Sequence, residues 1–152
     1  MSRSRHICGR PLAGSIGQGE VAVYLADQAD TAWAEWYRAL AARGVEPTDE
    51  VPRDLWQVSV DLEEVVDLRS AALRAVAGVP ARIRPADTQW RAFQEFAAAM
   101  RDQGAQGILY ASAARTRSLC LCVFEAGLSG LSVQDPPVRV LSPPPPPRGL
   151  RT

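Results

Sequence analysis

Residues 104–125, with the sequence GAQGILYASAARTRSLCLCVFE, constrain the fold of this chain more than any other segment. A glycine turn leads into a short apolar run, and a second apolar run spans residues 119–124. Apolar runs of this length, bounded by turn residues, predict buried strands. Between the two runs lies a small polar segment that contains Ser112 and Arg115. Side chains at strand ends and in the following loops are rigidly placed yet reachable, so both residues are candidate site residues.

Length and composition predict one globular domain. The chain has 152 residues, of which 47% are hydrophobic, enough for a sizeable core. Its formal net charge is zero, which argues against direct nucleic-acid binding. All 17 basic residues are arginine, so planar guanidinium groups are the cations available to phosphates. The sequence has neither a signal peptide nor an apolar stretch long enough to cross a membrane, and we expect a cytoplasmic protein.

The cysteines predict a reducing compartment and no metal site. Cys8, Cys120 and Cys122 are odd in number and lack the spacing of a disulfide framework. Cys120 and Cys122 alternate with apolar residues, so they are expected to share one strand face as small hydrophobes. His6 lies near Cys8, but no second pair of ligands at suitable spacing accompanies them.

The hydrophobic periodicity predicts an α+β domain with helices packed around a central sheet. We expect irregular structure over residues 1–19 and a helix from Asp30 or Thr31, as N-cap, to Arg43. The remaining predicted elements are strands at 20–26, 55–62, 107–110 and 118–125, a short strand at 65–68, helices ending near 77 and spanning 87–103, and an edge strand at 138–141. The domain is expected to cover residues 1–142, followed by a disordered, proline-rich tail over residues 143–152.

Glu35 lies in the first predicted helix, nearly opposite an apolar stripe of Trp33, Trp36 and Leu40. The simpler interpretation is a solvated glutamate paired with Arg38 on the next turn. The functional interpretation is that the small alanines around Glu35 allow a ligand or another surface to approach closely.

Three further residues, in two segments, carry the same pair of interpretations. Tyr24, in an apolar strand, is either a core tyrosine or the wall of a pocket for a planar ligand. Ser112 and Arg115 either form an ordinary turn between strands or place a hydroxyl and a cation beside a pocket. A Ser-His-Asp triad is not expected, because His6 is the only histidine and none is available as a base for Ser112. The glycines at 14, 17 and 19 precede a strand and do not match a dinucleotide-binding loop.

Taken in order, three segments resemble the RES family, the toxins of bacterial toxin–antitoxin pairs. VAVYLADQADTAWAEW resembles the family's tyrosine-ending strand and its alanine-rich helix with a glutamate. WQVSVDLEEVVDL resembles the following strand, and GILYASAARTRSLCLCVFE resembles the Gly-Ile-Leu-Tyr-x-Ser-x-x-Arg segment that carries the family serine. The resemblance spans residues 14–125.

The resemblance implies a fold like that of ADP-ribosyltransferases and chemistry on NAD as substrate, without a metal. Family members cleave the nicotinamide–ribose bond by hydrolysis or phosphorolysis, or transfer ADP-ribose to a protein. Carried over by position, Glu35 and Ser112 are the catalytic acid and serine, and Tyr24 is the tyrosine beside the nicotinamide. The implied partner is a helix-turn-helix antitoxin. The oligomeric state, including a homo-oligomer, stays open.

One part of the family pattern differs. The family arginine precedes the tyrosine strand, where this chain has AGSIGQGEVAVY and no arginine. Arg10 is the nearest candidate for binding the diphosphate, with Arg115 as a further one. Either Arg10 acts through a shorter loop, or the enzyme is impaired, or the start of the chain is missing. The alternative function is therefore a catalytically degenerate RES-like binding module. A third hypothesis is an unrelated α+β domain whose polyproline tail recruits a partner.

Overall fold

A computed structural model describes residues 3–8, 21–81 and 87–151, with the backbone alone for residues 3–8 and 87–90. The described part is a seven-stranded mixed sheet with three α-helices, in the strand order β4-β5-β6-β2-β1-β3-β7. The β4–β5 pair is parallel, and all other neighbouring pairs are antiparallel. The α+β class predicted from periodicity is therefore confirmed. The strands are β1 (Arg3–Cys8), β2 (Ala22–Ala26), β3 (Arg53–Val60), β4 (Val65–Leu68), β5 (Gly107–Ala111), β6 (Leu119–Phe124) and β7 (Leu131–Val140).

The helices are α1 (Ala29–Arg43), α2 (Ala71–Val76) and α3 (Asp87–Asp102). Helix α1 ends where Gly44 adopts a left-handed conformation and its N–H reaches the carbonyls of Ala41 and Leu40. Helix α2 begins where the Ser70 side chain accepts a hydrogen bond from the Leu73 N–H. Short 3-10 helices lie at Pro47–Glu50 and Glu125–Gly130.

Three expectations about the elements are corrected. Residues 3–8 form strand β1 instead of irregular structure, because pairing with β2 and β3 satisfies a segment that has little pattern of its own. The N-cap of α1 is Gln28 rather than Asp30 or Thr31, whose side chains instead contact Arg115. The last strand begins at Leu131, seven residues earlier than the predicted 138, because an edge strand tolerates the prolines within it.

Both long helices cover the same face of the sheet. The β2–β6 and β5–β6 registers place Tyr24, Cys122 and Ile108 side by side, and Phe93, Phe96 and Met100 of α3 pack against this cluster. Trp33, Trp36 and Leu40 of α1 pack against Leu55 of β3. Ala26 of β2 pairs with His6 of β1, which in turn pairs with Gln57 of β3, so Ala26 and Gln57 lie on one face of the sheet. Tyr24 and Leu55 each lie two residues from one of these positions and therefore share that face. The end of β5 and the start of β6 therefore lie on the face that α1 and α3 share.

The opposite face carries a second apolar cluster built on Leu25, Val58, Leu121 and Val123. The tight contact of β5 with β6 requires Gly107, because a Cβ there would lie 2.6 Å from the Cys122 carbonyl oxygen. Within the described residues no helix is long and apolar enough to cross a membrane.

Candidate active site

The structure brings Glu35 and Ser112 together, although 77 residues separate them in sequence. The Ser112 hydroxyl donates a hydrogen bond of 2.7 Å to Oε1 of Glu35. Ser112 is buried, while the Glu35 side chain retains 31% of its exposure. A carboxylate that is held by a buried donor yet open on one side is a group that a ligand can reach.

Residues 112–118, here called the Ser112 loop, hold this pair with backbone hydrogen bonds. The Ala114 N–H lies 3.3 Å from Glu35 Oε1 and 3.2 Å from the Ser112 oxygen. The Arg115 N–H donates to the Ser112 oxygen at 3.0 Å. Because the serine oxygen accepts from the backbone of its own loop, its hydroxyl hydrogen is directed at Glu35.

Arg38 and Cys120 complete the surroundings of the carboxylate. Arg38 Nη1 lies 3.5 Å from Glu35 Oε2, so the predicted helix-surface pair is present but long. The Cys120 thiol donates to Glu35 Oε1 over 3.7 Å. Burial first, and then the negative charge of Glu35, raises the pKa of Cys120 well above its usual value. The cysteine is therefore a neutral donor here, and its role is more specific than that of the small hydrophobe expected from the sequence.

Tyr24 lies on the same face of the sheet, two strand positions before Ala26 and in register with Cys122. Burial, followed by the neighbouring Cys122 thiol, raises the pKa of Tyr24. Burial also raises the pKa of the Cys122 thiol to about 11. Both side chains are neutral near pH 7, so Tyr24 offers a ring and a hydroxyl but no charge.

Sequence reasoning missed Tyr110, which lies on the same face of the sheet as Tyr24. It is in register with Cys120, and burial first, followed by the neighbouring Cys120 thiol and Glu35, raises its pKa well above the usual value. No hydrogen bond joins its hydroxyl to any residue that the structure describes. The signal for this residue was its spacing, since Tyr110 and Ser112 are two residues apart and strand side chains repeat with period two.

Arg115 lies at the site, but its guanidinium is occupied by the protein. Nη1 lies 3.3 Å from the Thr31 hydroxyl, Nη2 lies 3.3 Å from Asp30 Oδ2, and Nε donates to the Arg148 carbonyl oxygen at 3.2 Å. This side chain thus ties the Ser112 loop to the start of α1 and to residue 148. Arg10 lies outside the described residues.

Two further features concern ligands. Among the described residues, no group of three or more histidine, cysteine, aspartate or glutamate side chains could hold a metal ion. Asp27, at the end of β2, has a buried Oδ1 without a partner in the described part of the chain, and its charge contributes to the raised pKa of Cys120.

The fold and the site define a class: an α+β domain whose mixed sheet carries a carboxylate–hydroxyl pair beside two tyrosines. The RES domain family model matches residues 15–142. The chain belongs to the RES family.

A solved structure shares this fold. A chain in the crystal structure of the M. tuberculosis MbcT-MbcA toxin-antitoxin complex matches with a TM-score of 0.76 and 20% identity. The match covers 93% of this chain and 85% of the other. No curated protein sequence matches this chain.

Proposed function

We propose that this protein is the toxin of a toxin–antitoxin pair and acts by cleaving the nicotinamide–ribose bond of NAD. The observation that carries the proposal is the 2.7 Å hydrogen bond from Ser112 to Glu35, which joins the two residues that the family resemblance suggested as serine and acid. Membership of the RES family and the fold shared with a chain of a toxin–antitoxin complex support the role of a toxin.

The residue types suit this chemistry. The nicotinamide ring of NAD is already cationic, so it departs without a general acid, and the ribose becomes an oxocarbenium-like cation. A carboxylate beside that sugar stabilises the developing positive charge and can orient a nucleophile. Ser112 fixes Oε1 of Glu35, while the long Arg38 contact leaves Oε2 open to ligand. Hydrolysis, phosphorolysis and transfer to protein differ only in the nucleophile that reaches this cation.

The two tyrosines fit the rest of the nicotinamide riboside. The Tyr24 ring forms a wall against which the nicotinamide can stack. The Tyr110 hydroxyl, near Glu35 and without a hydrogen-bond partner in the described residues, is available to donate to a ribose hydroxyl or to the carboxamide. These roles are proposals that follow from position and chemistry.

The test is the release of nicotinamide from NAD by purified protein, with and without inorganic phosphate. We expect Glu35→Gln, which keeps the size but removes the charge, to lower the rate by roughly 10²–10³-fold. The matched control is Glu95→Gln, since Glu95 is also a helical glutamate paired with an arginine but lies in α3. Equal rates for wild type and Glu35→Gln would remove Glu35 from the mechanism.

The proposal also predicts a partner. We expect expression of the wild-type chain to deplete cellular NAD and stop growth, and a helix-turn-helix antitoxin to relieve this effect by covering the site. Cells that express Glu35→Gln at the same level should grow and keep their NAD. Growth arrest by the variant would indicate toxicity without NAD cleavage.

A second candidate function, the degenerate binding module, is favoured by one observation. The segment AGSIGQGEVAVY has no arginine where the family pattern places one. A degenerate module would be folded and have negligible affinity for NAD. Calorimetry that detects NAD binding to the wild-type protein would reject this candidate.

A further inference from the structure

Residues 143–151, here called the tail, contact the Ser112 loop. The Tyr37 hydroxyl donates to the Pro144 carbonyl where the tail passes α1. Further along, Arg115 forms an isolated antiparallel bridge with Leu150, and the Arg151 N–H donates to the Ala114 carbonyl at 2.8 Å. The boundary predicted at residue 142 thus separates the tail from the domain in composition, whereas hydrogen bonds connect the two.

This contact places the main chain of Arg148 and Arg151 against the Ser112 loop, which also holds Glu35. The N–H of Ala114 faces Glu35, and the carbonyl of the same residue accepts from Arg151. A single residue therefore separates the tail backbone from the carboxylate. The side chains of Arg148 and Arg151 are exposed, and neither forms an ion pair with any residue that the structure describes. Arg117, also exposed, adds a third positive charge on the Ser112 loop.

The chemistry of the substrate requires cations at this distance. In NAD the diphosphate is attached to the same ribose whose bond to nicotinamide is broken, so it lies one sugar away from the reacting carbon. Guanidinium groups bind phosphate oxygens with paired, charge-assisted hydrogen bonds. Arg115 has the right charge, but Asp30, Thr31 and the Arg148 carbonyl already occupy it.

We propose that Arg148 and Arg151 bind the diphosphate of NAD, in place of the arginine that the family pattern puts before the tyrosine strand. This inference rests on the proposed function. Under this proposal, Arg115 is a positioning residue that holds the tail by its contacts with the main chain of residues 148 and 150. The side chains of the two tail arginines touch the substrate.

The test uses the full chain with both arginines replaced, Arg148→Ala and Arg151→Ala. The tail contacts to Arg115 and Ala114 use main-chain atoms of residues 148 and 151, so the double variant keeps them. We expect the KM for NAD to rise about tenfold or more with little change in kcat. Nicotinamide riboside, which has no diphosphate, should be cleaved equally by both proteins. Arg91→Ala, which removes an exposed arginine of α3, is the control and should leave the KM unchanged.

A binding experiment separates this inference from the proposed reaction. Calorimetric titration with inorganic diphosphate should show binding to the wild-type chain and none to the double variant. If wild type releases nicotinamide but the double variant keeps the wild-type KM, the tail proposal fails and the reaction stands. If wild type binds diphosphate through these arginines but releases no nicotinamide, the reaction fails and the anion site stands. Absence of diphosphate binding to wild type, or an equal loss of riboside cleavage in the double variant, would overturn the tail proposal.

Discussion

The two sides of helix α1 are held by different interactions, apolar packing on one side and hydrogen bonds on the other. On one side Trp33, Trp36 and Leu40 are buried in an apolar cluster, with the two indole rings edge to face at 5.3 Å. On the other side Glu35 meets a serine, a backbone N–H and a thiol from the β5–β6 region. The apolar side stabilises the fold by burial, which is non-directional. The polar side depends on the orientation of a few hydrogen bonds, so substitutions on the two sides should have separable effects.

The largest expected effect on stability is on the apolar side. Leu40 is 1% exposed, and Leu40→Ala should lower the free energy of unfolding by about 2–5 kcal/mol because it leaves a cavity. Chemical denaturation measures this loss. Val76→Ala, at a position that is 89% exposed, is the control and should be nearly neutral. If the folded Leu40→Ala protein loses NAD cleavage as completely as Glu35→Gln does, the two sides of α1 do not have separable effects.

On the polar side, Ser112→Ala should act on the reaction more than on the fold. The serine donates to a carboxyl oxygen of Glu35, and a hydrogen bond to an acidic group contributes roughly 1.5–3 kcal/mol, which corresponds to about a 10–150-fold loss of kcat/KM. Nicotinamide release gives the rate, and denaturation gives the stability. Ser118→Ala is a matched control, since Ser118 is a buried serine of the same loop with no side-chain hydrogen bond in the described part of the chain. Equal losses in both variants would assign a structural role to Ser112.

The thiols behind the site predict a pH dependence of stability. Burial raises the pKa of Cys122 from 9.0 to about 11, so the folded protein keeps its proton where the unfolded chain loses it. The contribution of Cys122 to the free energy of unfolding is fully present below pH 9. It falls by about 2 kcal/mol as the pH rises from 9 to 11. Urea denaturation across this range should show a shallower fall for Cys122→Ala than for wild type. Leu40→Ala, on the apolar side, should lower the free energy of unfolding equally at every pH and so keep the wild-type pH dependence. A wild-type pH dependence in Cys122→Ala would contradict the raised pKa of Cys122.

The smallest expected effect is that of Tyr110→Phe. Removing a hydroxyl that has no partner in the described protein should leave stability within about 0.5 kcal/mol of wild type. If that hydroxyl donates to the substrate, kcat/KM should fall by roughly 2–12-fold, the usual value of a neutral hydrogen bond. Tyr37→Phe, which removes the contact with the Pro144 carbonyl, tests a second tyrosine at a different point of the domain. A loss of stability without loss of activity in Tyr110→Phe would place the hydroxyl in the fold rather than in the site.

The sequence predicted helices and strands correctly where the hydrophobic periodicity was strong. The periodicity of α1, the left-handed glycine at its end and the apolar runs of β5 and β6 all specified structure correctly, because burial of apolar side chains follows their spacing. Strand β1 and the full length of β7 were missed, since both are stabilised by neighbours far away in the chain. Gln28 was missed as N-cap for a related reason: Asp30 and Thr31 have cap-forming side chains, but Arg115 engages them from 84 and 85 residues away.

The sequence by itself determined the class of fold, the family resemblance and the residue types of the site, Tyr24, Glu35 and Ser112. Only the tertiary structure decided that Glu35 is hydrogen-bonded to Ser112, that Tyr110 lies on the same face of the sheet as Tyr24, and that the tail lies against the Ser112 loop. The physical reason is the range of the interactions. Hydrophobic periodicity is a property of neighbouring residues, whereas a hydrogen bond across 77 residues exists only after the sheet has brought its two partners together.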